Sequence, residues 1–335
     1  MIMKIPAQAL RAIPSIAVSV LLVVFAGPVA AAPDRGQQQA SIVFQILASE
    51  LALNQGDIGT AAATYLSLAR QTQDPMVAKR ATELAIDARS PKSAQEAAAI
   101  WLKSAPADTD AQGTLDLLQL ITGDTEKLSR SLSVRRDKAV KDGRLDAFYD
   151  YVAGLAGRAL NKADGVKLYE SVTAPDRDTT NIVYTRAMLY ERANQPKEME
   201  RLLRELIAKD PNHAHARNAL GYHLADRNER LPEAFALIER ALSLAPNDPH
   251  IIDSMGWVYF RMGNLAQAEK YLRDAHRQQP DAEISTHLAE VLWVQDKKAD
   301  AENYFRMAFA VDPRNEVLLE TLKRLNVSPF RIHPQ

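Results

Sequence analysis

The chain is 335 residues long, 47% hydrophobic and 25% charged, with 41 basic side chains against 42 acidic ones. That balance, with no block of five like charges, argues against a nucleic-acid or anionic-membrane binder, and only 13 glycines argue against phosphate-cradling loops. Cysteine is absent, which excludes disulfides, iron–sulfur ligation, a thiol nucleophile and the lipid-bearing cysteine of a bacterial lipoprotein.

Residues 1–31 stand apart. Lys4 and Arg11 give a weakly basic start, Ala12–Ala26 is an apolar run interrupted by Pro14, and the small residues of GPVAAAP follow. That order is the pattern of a cleaved secretory signal peptide, with Val29 and Ala31 suiting cleavage before Ala32. The rival reading is an uncleaved anchor, but the run is short for a span of ~20 residues. The expectation is therefore a periplasmic protein with no stable membrane insertion, not a lipoprotein. Losing Lys4 and Arg11 would take the formal charge from −1 to −3.

Residues 32–179 show helical periodicity with a fading repeat. Ala48, Gly56, Ala61, Tyr65 and Leu68 mark residues 42–75, and Leu84, Ile86 and Trp101 mark residues 76–108. LDLLQLI and FYDYVAGLAGRAL are helical by pattern, yet the repeat register of residues 109–178 stays open. No period-2 alternation is sustained, so the chain reads as all-α.

Residues 180–315 repeat clearly. Pro211, Pro246, Pro280 and Pro313 are spaced by 35, 34 and 33 residues. Proline cannot continue a helix, so each marks a turn between repeats. Between them recur Leu220-Gly221, Leu224, Ala234, Ile238 and Ala241; then Ile252, Met255-Gly256, Tyr259, Ala268, Leu272 and Ala275; then Leu288-Ala289, Leu292, Ala301, Phe305 and Ala308. The first of the three carries one extra residue, in DRNERL. This resembles the tetratricopeptide repeat, in which two antiparallel helices, A and B, cross closely at small residues such as Gly256 and Ala268. The resemblance implies a solenoid of about eight helix pairs over residues 42–315. An amphipathic capping helix would follow in residues 316–327 and a loose tail in 328–335.

The chemistry-bearing residues are sparse. His213, His215 and His223 cluster in sequence, but eight helical residues separate His215 from His223 by roughly 12 Å, too far to share a metal. No hydrolase, nucleotide-binding or zinc-protease motif occurs. Glu198, Arg201, Glu205 and Lys209 read as solvated helix-surface pairs. The expectation is no enzyme activity, no cofactor and no metal.

In the tetratricopeptide family, helix A lines a concave groove that takes protein segments. Residue by residue, the resemblance places Asn181, Tyr184 and Met188 there, with His215, Asn218 and Tyr222 from the next repeat. His250, Asp253, Trp257 and Phe260 follow, then Glu283, Thr286, Glu290 and Trp293. Trp257 and Tyr222 are the expected aromatic anchors, while Phe260 and Trp293 could serve packing between helices. Asn218, Asp253 and Thr286 stand where chaperone-binding members carry a basic clamp, which disfavours that ligand.

Residues 218–293, with LGYHLADRNER and DSMGWVYFR, resemble a group of proteobacterial envelope proteins. That group includes the repeat lipoprotein that partners a periplasmic C-terminal-processing protease and presents cell-wall hydrolases to it. This chain departs from it in lacking the lipobox cysteine. The resemblance implies an adaptor binding protein or peptide partners; the alternative is an assembly factor or carrier for an outer-membrane, pilus or polysaccharide export complex.

Overall fold

The computed structural model describes residues 35–328, so the signal-peptide reading of residues 1–31 and nearly all of the expected tail lie outside the described residues. Those described form seventeen α-helices and one 3-10 turn, Ala174–Asp176, with no strand among them. Eight antiparallel pairs follow in order: α1 (Arg35–Asn54) with α2 (Ile58–Thr72), α3 (Pro75–Asp87) with α4 (Pro91–Ser104), α5 (Thr109–Thr122) with α6 (Thr125–Lys141), and α7 (Leu145–Gly157) with α8 (Lys162–Thr173). Then come α9 (Thr180–Arg192) with α10 (Pro196–Lys209), α11 (Ala214–Asp226) with α12 (Leu231–Leu244), α13 (Pro249–Arg261) with α14 (Leu265–Gln278), and α15 (Ala282–Val294) with α16 (Lys298–Val311). A final helix, α17 (Glu316–Arg324), packs on α15 and α16. The chain is an all-α repeat solenoid. The stretch 109–178, whose register the sequence leaves open, supplies two of the eight pairs.

Helix starts follow local chemistry. Asp74, Asp108 and Asp248 each accept backbone N–H bonds from the first turn of the helix they precede, satisfying donors that have no partner inside the helix. Pro75, Pro91, Pro196 and Pro249 occupy first helical positions, where the missing N–H costs nothing. The extra residue of DRNERL is absorbed in the α11–α12 turn, where Asn228 and Arg230 both take positive φ (56° and 46°).

Small residues set the crossing of A and B helices. A Cβ on Gly256 would lie 2.6 Å from Leu272 Cγ, and one on Gly221 would lie 2.6 Å from Ile238 Cγ1. Both glycines accept the cost of glycine in a helix interior, about 1 kcal/mol, so that α13 can close on α14 and α11 on α12. The apolar core is serial: one cluster spans Ala61–Leu118, the next Leu120–Leu189, the next Val183–Val258, and the last Ala268–Val327. Helices make extensive contact only with those one or two places along the chain, as stacked repeats require.

Candidate functional site

The A helices α9, α11, α13 and α15 lie side by side and form one face. Each neighbouring pair among them is bridged by a histidine and a carboxylate. His223 of α11 lies 3.6 Å from Glu191 of α9, and His215 of α11 lies 3.7 Å from Asp248, which caps α13. His250 of α13 lies 3.9 Å from Asp281, which caps α15. The fourth pair is buried: His287 Nδ1 of α15 lies 2.9 and 3.0 Å from the two carboxylate oxygens of Asp253 on α13. His213 caps α11, its Nδ1 accepting the Ala216 N–H at 3.1 Å, and its ring stacks on Tyr184. Among the described residues no cluster of three or more metal-ligating side chains forms a cation site.

His287 is the centre of this face. It is fully buried, and the Trp257 indole stacks on its ring at 4.2 Å. Burial opposes its charge, but the charge and hydrogen bond of Asp253, with Glu283 and Glu290 nearby, win and raise it to about 9. The ring is thus an imidazolium at neutral pH, with two N–H donors. One donates to Asp253. The other faces the Tyr222 hydroxyl at 3.3 Å, which donates onward to Glu283 Oε1 at 3.0 Å. Burial, with Glu283, Asp226 and Asp253 around it, pushes the Tyr222 phenol well above its ordinary range. On α15, buried Glu290 receives both arms of the Arg324 guanidinium from α17 at 2.6 and 2.7 Å. Trp257 Nε1 donates to Asp226 of α11 at 3.3 Å. A polar spine therefore runs α11–α13–α15–α17.

A hydroxyl, an imidazole and a carboxylate in series is the order of an activated nucleophile. Here Asp253 favours the charged form of the His287 ring and burial shuts the ring off from solvent, which suits it to holding helices together. The arrangement is an ionic staple between repeats.

The structure redistributes the residues the sequence assigns to the groove. Asp253, Trp257 and Glu290, expected to line an open surface, are 5%, 3% and 1% exposed, because His287 and Arg324 close over them. Thr286 is buried too, its hydroxyl donating to the Ala282 carbonyl. Trp257 and Phe260 thereby exchange roles: Trp257 is core, while Phe260 and Trp293 are only partly covered. Tyr184, Met188, Asn218, Tyr222 and Glu283 are half-buried, and Asn181, His215 and His250 are exposed. Asn218 Oδ1 is buried and has no hydrogen-bond partner among the described residues. On α10, Arg201 pairs with Glu198 and Glu205 as expected, but Lys209 reaches the Asp178 carbonyl instead. His287 itself escaped the sequence reading. Its one signal is a polar residue set among Ile284, Leu288 and Val291, 34 residues, one repeat, beyond Asp253.

Two family models, both described as tetratricopeptide repeat, match residues 184–249 and 223–293. This part of the chain is built of tetratricopeptide repeats. A TPR repeat-containing protein of Pseudomonas aeruginosa is 50% identical over 145 residues, covering 43% of this chain and 25% of the relative. Tetratricopeptide repeat protein 7A of Homo sapiens is 33% identical over 113 residues, 33% of this chain and 12% of that one. The chain thus spans a quarter or less of the length of these relatives. Among solved structures, a tetratricopeptide repeat protein from Parabacteroides merdae aligns with a TM-score of 0.49 at 17% identity, covering 75% of this chain and 98% of that one.

Proposed function

We propose that the chain is an exported scaffold that holds segments of partner proteins on the face of α9, α11, α13 and α15. The carrying observation is the contrast of layers on that face. A hydrogen-bonded spine centred on buried His287, Asp253 and Glu290 joins the helices. Beside it Tyr184, Met188, Phe260 and Trp293 stay partly open, as does Tyr222 of the spine itself. Partly open aromatic rings on a rigid support are what affinity for a peptide segment draws on. Export is supported by the apolar run Ala12–Ala26 and its small-residue exit.

The finer reading is an adaptor between an envelope C-terminal-processing protease and cell-wall hydrolases, supported by the resemblance of residues 218–293 to that group of envelope proteins. The test is in-cell crosslinking and pull-down, comparing the native chain with His215→Arg plus His250→Arg, two exposed positions on the face. Capture of a protease or hydrolase that the double variant loses supports both the face and the adaptor role. Capture unchanged by the variant removes the face. Recovery of a stoichiometric secretion or assembly complex replaces the adaptor reading with the assembly-factor one.

A further inference from the structure

The two ends of the described array are finished differently. At the C-terminal end α17 buries Leu318, Thr321 and Leu322 and leaves Glu316, Glu320 and Lys323 exposed, with Leu319 45% exposed among them. At the other end α1 is apolar on two faces. One face packs Ile46 and Leu53 against the first core cluster, with Ser49 buried beside them. The opposite face presents Val43, Phe44, Leu47 and Leu51 at 55%, 71%, 64% and 58% exposure. A solenoid end that must meet water carries a polar outer face; this one does not.

Spacing on that face specifies what it can accept. Ala40, Phe44, Leu47 and Leu51 follow one another by four, three and four residues, the seam of a coiled coil, and Val43 and Ala48 flank it. Such a seam receives a second helix at a crossing near +20° and an interaxial distance of about 8–10 Å.

We infer that this end is covered by a second copy of the chain, α1 against α1 about a two-fold axis. A two-fold contact brings one patch onto itself, so the patch must tolerate its own charge pattern. The seam has no charge. Its one charged neighbour, Glu50, is engaged within its own chain, accepting the Tyr65 hydroxyl at 2.7 Å with Arg80 at 3.7 Å. A partner whose docking helix relied on charged flanks would find nothing here to pair with. The area agrees: two stripes of this exposure, facing each other, bury about 1,000 Å², where specific association begins. The dimer is accordingly a weak one, forming at micromolar concentrations.

Sedimentation velocity between roughly 1 and 200 μM tests it, on the protein as its cell processes it, with the N-terminal residue read by intact mass. The native chain should pass from monomer to dimer. Phe44→Glu plus Leu47→Glu should weaken the dimer by at least about tenfold, since it sets like charges against each other across the seam. Both side chains are exposed, so the variant's thermal melt should match the native one and show that the loss is not unfolding. Leu319→Glu, at the far end, should dimerise normally. A native chain that is monomeric throughout overturns the inference, as does a dimer that survives the double substitution. So does a stripe that is occupied by a different protein while the chain itself stays monomeric.

Discussion

The first two helix pairs and the last two solve the same packing problem with different chemistry. Between α1 and α5 the core is alanine-rich: Ala61, Ala62, Ala69, Ala78, Ala81, Ala85, Ala94, Ala97, Ala98 and Ala111 are buried. No charged side chain is buried from α1 to α4. From α13 to α17 larger residues such as Met255, Leu272, Leu288 and Phe305 fill the core, and Asp253, His287 and Glu290 are buried among them. Alanine lets helices approach closely but distinguishes one register poorly from another. An ion pair that must be matched in the interior tolerates only one. The difference separates what makes a helix pair compact from what makes successive pairs stack in a single way.

The comparison can be broken most strongly at Asp253. Asp253→Ala leaves the His287 imidazolium buried without its counter-charge, and should cost about 3–5 kcal/mol. Amide hydrogen exchange should show the loss in α11–α17 while α2–α4 keep their protection. Acidity gives the next effect. The folded-state value of His287, about 9, stands above its ordinary 6.5, so its contribution is complete below pH 6.5 and is lost as pH rises through 9. Urea titrations should show stability falling by on the order of 2–3 kcal/mol across that window. His287→Phe should flatten the fall, and exchange in α2–α4 should not follow it. Gly256→Ala, forcing a Cβ to 2.6 Å from Leu272 Cγ, should cost about 1–3 kcal/mol by overpacking, and Ala97→Leu should do the same in the alanine-rich part. Smallest is Arg70→Ala at the other end of the molecule. Its pair with Glu96 is about half exposed, and its removal should leave the thermal melt almost unchanged.

The repeat frame was legible because it rests on residues with a single steric reason. Pro211, Pro246, Pro280 and Pro313 each fall between a B helix and the next A helix, and Gly256 sits where no Cβ fits. The register of residues 109–178 was not legible because those pairs lack that signature and are fixed by side-chain networks instead. Arg135 on α6 holds Asp116 of α5, which also accepts the Tyr151 hydroxyl of α7. The next residue, Arg136, holds Asp176 together with Tyr149. Such contacts join residues 13–40 positions apart and leave no periodic trace. The candidate face was half legible for the same reason. Position along helix A predicts which residues share a face, Tyr222, His250 and Phe260 among them, but not how far each is covered. Whether Trp257 is open or covered depends on a ring one repeat further on, and no pattern within α13 reports it.

Among the described residues, helices make extensive contact only with those one or two places along the chain, so the array has no single central core. Small rotations at each junction add along such a stack and set its curvature. Junctions from α11 to α17 carry the pairs of buried His287 with Asp253 and of buried Glu290 with Arg324, whereas those near α1–α4 join an alanine-rich core to solvent-exposed pairs such as Arg70 with Glu96. One repeat frame thus carries two kinds of joint, with ion pairs buried at one end and left in solvent at the other.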